Sequence, residues 1–274
     1  METAEPRVGP RLSVRLREQN LVQNRSGYAV WQVEETQRVL DAPKTALLLC
    51  DVWNRHTCRG AEERLERLLP RMQQVVTAMR RRGALIVHAP SDTMDFYAGT
   101  PARERVLDCP RIATPEDLAH DDPVLPVDQA DPCDTCPDEE HPVFETGMPW
   151  PWTRQHPAIE IDQARDVISC QGAELWSYYR YRGIEQVLIM GVHTGMCILR
   201  RTFSIKQMTR WGLPIALIRD LTDALYHPSK PPYVSHEEGT RLIVEYIEKF
   251  WCPTVSSEEL LLPTRPGAAP APGV

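Results

Sequence analysis

The stretches KTALLLCD (44–51), ALIVHAP (84–90), QVLIMG (186–191) and PIALIRD (214–220) each carry an almost unbroken apolar run. A strand reads this way when both of its faces are covered. Helical patterns lie between these runs. AEERLERLLPRMQQVVTAMRRRG (61–83) places Leu65, Leu68, Leu69, Met72, Val75, Val76 and Met79 at helical spacing and ends on Gly83. Pro70 inside that pattern is expected to kink or split the helix. GAELWSYYRYRG (172–183), CILRRTFSIKQMTRWG (197–212) and SHEEGTRLIVEYIEKFW (235–251) read as further helices, the last with Ser235 and Glu238 at capping-box spacing. AIEI (158–161) reads as one more strand. Buried strands alternating with amphipathic helices predict an α/β fold, a three-layer α/β/α sandwich around a mostly parallel sheet with right-handed crossovers.

The 274 residues suffice for one large domain. Residues 1–43 read as a polar, irregular N-terminal arm, 44–255 as the domain, and 256–274 as a tail ending in the disordered, Pro-rich PTRPGAAPAPGV (263–274). An insert at about 92–157 interrupts the domain. Its segment 108–145 holds twelve Asp and Glu, one Arg and seven Pro, so it forms no core element and is expected to act as a solvated lid. A formal charge of −7 argues against nucleic acid as a partner. No apolar run reaches the ~20 residues of a membrane helix, so no membrane partner is expected. The N-terminus lacks an apolar signal region, which points to the cytoplasm. There the eight cysteines are expected to stay reduced rather than to build a disulfide framework.

Two residues carry the chemistry. In open parallel sheets reactive groups gather beyond the carboxyl ends of the strands. Asp51 ends one apolar run, and Cys197 follows another through the turn GVHTGMC. If those strands are neighbours, carboxylate and thiol share one crevice. A helix N-terminus is expected to lower the thiol's pKa, and its free amides to hold an oxyanion. Asp51 would take the thiol proton and return it to the leaving group.

TALLLCDVWNRH, RGALIVHAPSD and VLIMGVHTGMCILRRTF, in that order, resemble the isochorismatase-like cysteine hydrolases, which include nicotinamidases and N-carbamoylsarcosine amidase. The resemblance covers roughly residues 44–252 and implies six strands in the order 3-2-1-4-5-6. It further implies Cys197 as nucleophile, Asp51 as general base, a cis peptide at Val192–His193, and an oxyanion hole from the His193 and Cys197 amides. The family's third catalytic group is a lysine after the third strand. Here AIEIDQARDVISCQGAEL (158–175) contains no lysine. Arg165 or Arg154 could supply the positive charge without shuttling a proton; alternatively Asp166 has changed role or the site is degenerate.

Trp53, His88, Asp92 and Arg154 are the expected pocket residues, with Asp220 and Asp223 at the same edge. His193 ranks below Asp51 as a base. No cofactor and no metal are expected. A weaker metal option is zinc on Cys109, Cys133, Cys136 and His141, against a local Cys133–Cys136 disulfide or free thiols. The leading expectation is an amidohydrolase that cleaves a C–N bond in a small amide, ureido or carbamoyl compound and works as a homo-oligomer. The alternatives are a non-catalytic small-molecule binding or scaffold protein and an isochorismate-type vinyl-ether hydrolase.

Overall fold

The computed structural model describes residues 11–145 and 147–262. Its strands are β1 (Arg11–Gln23), β2 (Ala29–Asp41), β3 (Thr45–Cys50), β4 (Leu85–Ala89), β5 (Val167–Ile168), β6 (Gln186–Val192), β7 (Ile215–Asp223) and β8 (Thr254–Val255). Its helices are α1 (Arg59–Arg81), α2 (Pro101–Leu107), α3 (Gly172–Arg182), α4 (Cys197–Arg200), α5 (Ile205–Arg210), α6 (His236–Phe250) and α7 (Ser257–Leu261). They build one eight-stranded sheet in the order β2-β1-β8-β7-β6-β3-β4-β5. Its parallel part, β5-β4-β3-β6-β7-β8, is the expected 3-2-1-4-5-6 arrangement, and β3 and β6 are neighbours in register from Thr45↔Gln186 to Cys50↔Gly191.

Alternation along each buried strand divides the core. Leu47 and Leu49 of β3 join Leu188, Met190, Ala216 and Ile218 under α1 and α7. Ala46 and Leu48 join Val187, Ile189 and Leu217 under α3–α6. Side chains at period two feed both layers, which is why these runs are apolar throughout. Gly191 has no alternative at its position. A Cβ there would lie 2.0 Å from the Cys50 carbonyl oxygen, and its φ is +123°.

Several sequence expectations change. The N-terminal arm is a regular antiparallel hairpin from residue 11 onward, added beyond β8. Of β1 only Leu12, Val14 and Gln19 are buried, too few for an apolar pattern to show among its charges. Asn24 closes its turn, its side-chain oxygen accepting from the amides of Ser26 and Tyr28 at 3.0 Å each. AIEI is a loop; the third parallel strand is the fully buried pair Val167–Ile168. The segment 197–212 is two short helices, interrupted where Thr202 packs on the start of α3. The Thr202 hydroxyl accepts from the Gly172 amide at 3.0 Å, and its carbonyl lies where a Cβ on residue 172 would fall. α1 runs unbroken through Pro70, which faces solvent along with Glu66, so the carbonyl freed by the missing N–H stays hydrated. The tail begins later than expected, because α7 buries Leu260 against the α1 side. Residues 1–10 and 263–274, including the segment expected to be disordered, lie outside the described residues.

The acid-rich insert is irregular, as expected, yet held along its length. The Leu118 amide donates to the Arg210 carbonyl, the Asp128 amide to the Pro231 carbonyl, and the Tyr246 hydroxyl to the Pro123 carbonyl. Cys133 forms a disulfide with Cys58. For these two residues it overturns the reduced-thiol expectation, while the other six cysteines are free, and it overturns the local Cys133–Cys136 pairing. A sequence separation of 75 residues gave no hint of it. The proposed zinc set does not assemble: Cys136 is exposed, Cys109 is buried beside Pro110, and His141 is bonded between Asp138 and Glu62.

Candidate active site

β3 and β6 deliver the two reactive groups to one edge. Asp51 follows the last residue of β3, fully buried, with a backbone φ of +51° that turns the chain out of the strand. Cys197 begins α4 after the turn His193–Met196, and the Val192–His193 peptide is cis. The Cys197 thiol faces the Asp51 carboxyl closely enough for each to shift the other's pKa, with the His193 backbone beside the sulfur.

The cation beside this pair is Arg201. Its Nε donates to Asp51 Oδ2 at 2.9 Å, and its Nη2 lies 3.3 Å from Asp92 Oδ2. Arg201 stands four residues after Cys197, and the chain leaves the helix there with extended backbone. Such spacing places two side chains on one side of a helical turn; that signal was available in CILRR and was overlooked. Arg165 lies elsewhere, on the surface, paired with Asp162. Arg154 is exposed and sits over the Phe96 ring at 5.4 Å.

The second oxygen of Asp51 accepts from the Ser91 amide at 2.7 Å, a contact the sequence reading also missed. Trp53 is buried against this loop, its indole N–H donating to the Ser91 carbonyl at 2.9 Å, with the Arg201 guanidinium 6.0 Å from its ring centre. Asp92 lies at the rim and Cys170 close by. His88 is fully buried in the sheet, bonded to Gln155 and Asp166, and so is part of the core rather than of a pocket wall. Asp166 holds Arg80 and His88. Asp220 caps the start of α7 through Ser257, and Asp223 pairs with Arg64 and His236. The His193 ring faces His56, nitrogen to nitrogen at 3.1 Å, rather than serving the thiol.

Electrostatics here differ from the expectation of a lowered thiol pKa. Burial, and then the negative charge of Asp51, push the Cys197 thiol up to about 12, with Arg201 pulling the other way. α4 has only four residues, too few for a strong helix field. Burial also raises the Asp51 carboxyl above its ordinary value, opposed by Arg201 and the Ser91 amide. Burial would lower the Arg201 pKa, but Asp51 and Cys197 more than offset it and hold it raised. The resting sulfur is therefore a thiol, and a fixed cation sits on the outer oxygen of the carboxyl beside it. Among the described residues no cluster of three or more His, Cys, Asp or Glu is arranged to hold a metal.

The isochorismatase domain model matches residues 45–230. The chain belongs to the isochorismatase family. A cysteine hydrolase from Pseudomonas syringae pv. phaseolicola shares the fold at a TM-score of 0.50 and 14% identity, over 81% of this chain and 92% of that one. An isochorismatase from Pseudomonas putida aligns at a TM-score of 0.47 and 9% identity, over 79% and 90% of the two chains. An isochorismatase family protein from Burkholderia thailandensis aligns at 0.42 and 14%, over 80% and 96%. No curated protein is significantly similar to the chain. This isochorismatase-family member has a hydrolase fold with an open, mostly parallel sheet and an added N-terminal hairpin. None of its described helices is long and apolar enough to cross a membrane.

Proposed function

We infer that the protein is a cysteine hydrolase that cleaves the C–N bond of a small amide, ureido or carbamoyl compound. The observation that carries this reading is the juxtaposition of Cys197 and Asp51 at the ends of neighbouring strands, with Arg201 bonded to the same carboxyl. Asp51 takes the thiol proton as sulfur attacks the substrate carbonyl. The His193 and Cys197 amides receive the oxyanion, supplying fixed dipoles where charge develops. The C–N bond then breaks and Asp51 returns its proton to the departing nitrogen, leaving a thioester on Cys197. Water attacks the thioester, giving its proton to Asp51; the thioester C–S bond breaks, the acid leaves, and the Asp51 proton returns to the sulfur. No cofactor enters this sequence. Because the resting thiol is protonated, proton removal and attack are coupled, which is the role of a positioned base. Arg201 stays charged throughout and moves no proton; it favours the ionised form of Asp51 and orients it.

The test is ammonia or amine release from a panel of small carboxamides, ureido and carbamoyl compounds. Cys197→Ala is expected to abolish release, and Cys197→Ser to reduce it by about 10²-fold or more. A hydroxylamine-sensitive mass adduct should be trapped on the wild-type protein. Full activity in Cys197→Ser would remove the nucleophile assignment. A panel with no turnover would favour the second reading, a small-molecule binding protein, which the raised thiol pKa supports.

Arg201 has its own signature. Its charge lowers the Asp51 pKa, so Arg201→Met should move the acidic limb of the rate profile to higher pH. Arg201→Lys should leave that limb near its wild-type position. An unmoved limb in Arg201→Met would separate the guanidinium from the base.

A further inference from the structure

Among the described residues no strand pairs with the outer edge of β2, the outer strand of the N-terminal hairpin. β2 pairs with β1 in an uninterrupted register, from Arg11↔Asp41 to Gln23↔Ala29, and is thirteen residues long with no proline and no bulge. Nearly all of it is exposed. An edge this long and regular presents a ladder of free backbone groups, which proteins ordinarily blunt with short strands, bulges or proline. One face of the hairpin also carries Leu21, Trp31, Val33 and Val39; Val33 and Val39 are 49% and 60% exposed.

We propose that β2 pairs antiparallel with β2 of a second copy of this chain, about a two-fold axis through Thr36, joining two eight-stranded sheets into one.

Symmetry and charge fix the register. In an antiparallel ladder, directly opposed side chains lie on the same face. A two-fold perpendicular to the sheet keeps each residue on its own face, so opposed residues must both be even or both odd. The axis therefore passes through a residue. Centring it on Glu34, Glu35 or Arg38 sets that residue against its own charge. Centring it on Gln32, Val33 or Gln37 opposes no unlike charges. Centring it on Thr36 sets Glu34 against Arg38 of the copy, twice by symmetry, with Val33 against Val39 on the other face and Glu35 against Gln37. Both charged residues are available for this pairing. Glu34 is exposed and held only by the Asn20 amide at 2.9 Å, and Arg38 has no carboxylate partner among the described residues.

Sedimentation or light scattering of the full chain tests the state, and substitution tests the register. Wild type is expected at twice 31.3 kDa. Glu34→Lys and Arg38→Glu each place like charges together at two symmetric positions, and each should weaken the dimer by about tenfold; the double variant should recover it. Thr36→Cys, in a Cys136→Ser background that removes the exposed native thiol, should cross-link to itself under mild oxidation. Glu34→Cys should not, because its copies would sit four residues apart along the strand, roughly 13 Å. A monomeric wild type would overturn the proposal. So would a dimer that ignores the charge reversals and gives no cross-link at position 36, since that dimer uses another surface. Neither outcome bears on the Cys197 chemistry.

Discussion

Asp51→Asn is expected to move two measurements of the same site in opposite directions. Hydrolysis should fall by about 10²–10⁴-fold, the usual loss when a positioned general base is removed. Alkylation of Cys197 by iodoacetamide at about pH 9 should become faster, because the Asp51 charge is one of the causes that push the thiol up to about 12. Neutralising that charge lowers the thiol pKa and raises the thiolate fraction at fixed pH. A substitution that merely loosened the fold would also expose Cys50, Cys109 and Cys252, which are buried. Labelling should therefore be read by peptide mass at Cys197 alone. Slower labelling there would mean that Asp51 and Cys197 do not share a site.

The second large effect is on stability. Asp166 is buried and accepts from Arg80 Nε at 3.1 Å, His88 Nε2 at 3.1 Å and the Asp162 amide at 2.8 Å. Arg80, on α1, is itself almost fully buried. Removing the carboxylate leaves a buried guanidinium with only the Glu160 carbonyl at 3.0 Å and the exposed Glu160 carboxylate at 3.7 Å, so Asp166→Ala should cost about 3 kcal/mol in urea unfolding at pH 7. The pH dependence has a definite sign. Burial alone would raise the Asp166 pKa, but His88 and Arg80 outweigh it and hold it below the ordinary 3.8. A depressed folded pKa contributes stability that is complete above the unfolded value and declines as pH falls below about 4 toward the folded one. The variant should lack that share of the acid sensitivity. An Asp166→Ala protein as stable as wild type would show that the cluster is no brace between α1 and the loop before β5.

How much of this was legible in the chain differs element by element. The runs at 44–51, 84–90, 186–191 and 214–220 announced buried strands, because a strand covered on both faces has no polar alternation to confuse with anything else. Ser235 marked the start of α6, and its hydroxyl does accept from the Glu238 amide at 3.1 Å. The hairpin at 11–41 was missed for the opposite reason. Charged and polar residues interrupt β1, and β2 is exposed over nearly its whole length, so neither strand shows an apolar run. The strand at Val167–Ile168 is too short to show a period at all. The cation of the site was sought after the third strand, where family pattern put it, although Arg201 stood one helical turn beyond the cysteine.

By itself, then, the order of residues determined the layered sheet and the edge at which Asp51 and the GVHTGMC turn would emerge. Both follow from local hydrophobic period and from the handedness of crossovers. Tertiary structure alone decided that Cys58 bonds Cys133 and that the thiol lies under a raised rather than a lowered pKa. Each depends on distances and on the exclusion of water between segments remote in number, and no local pattern encodes those.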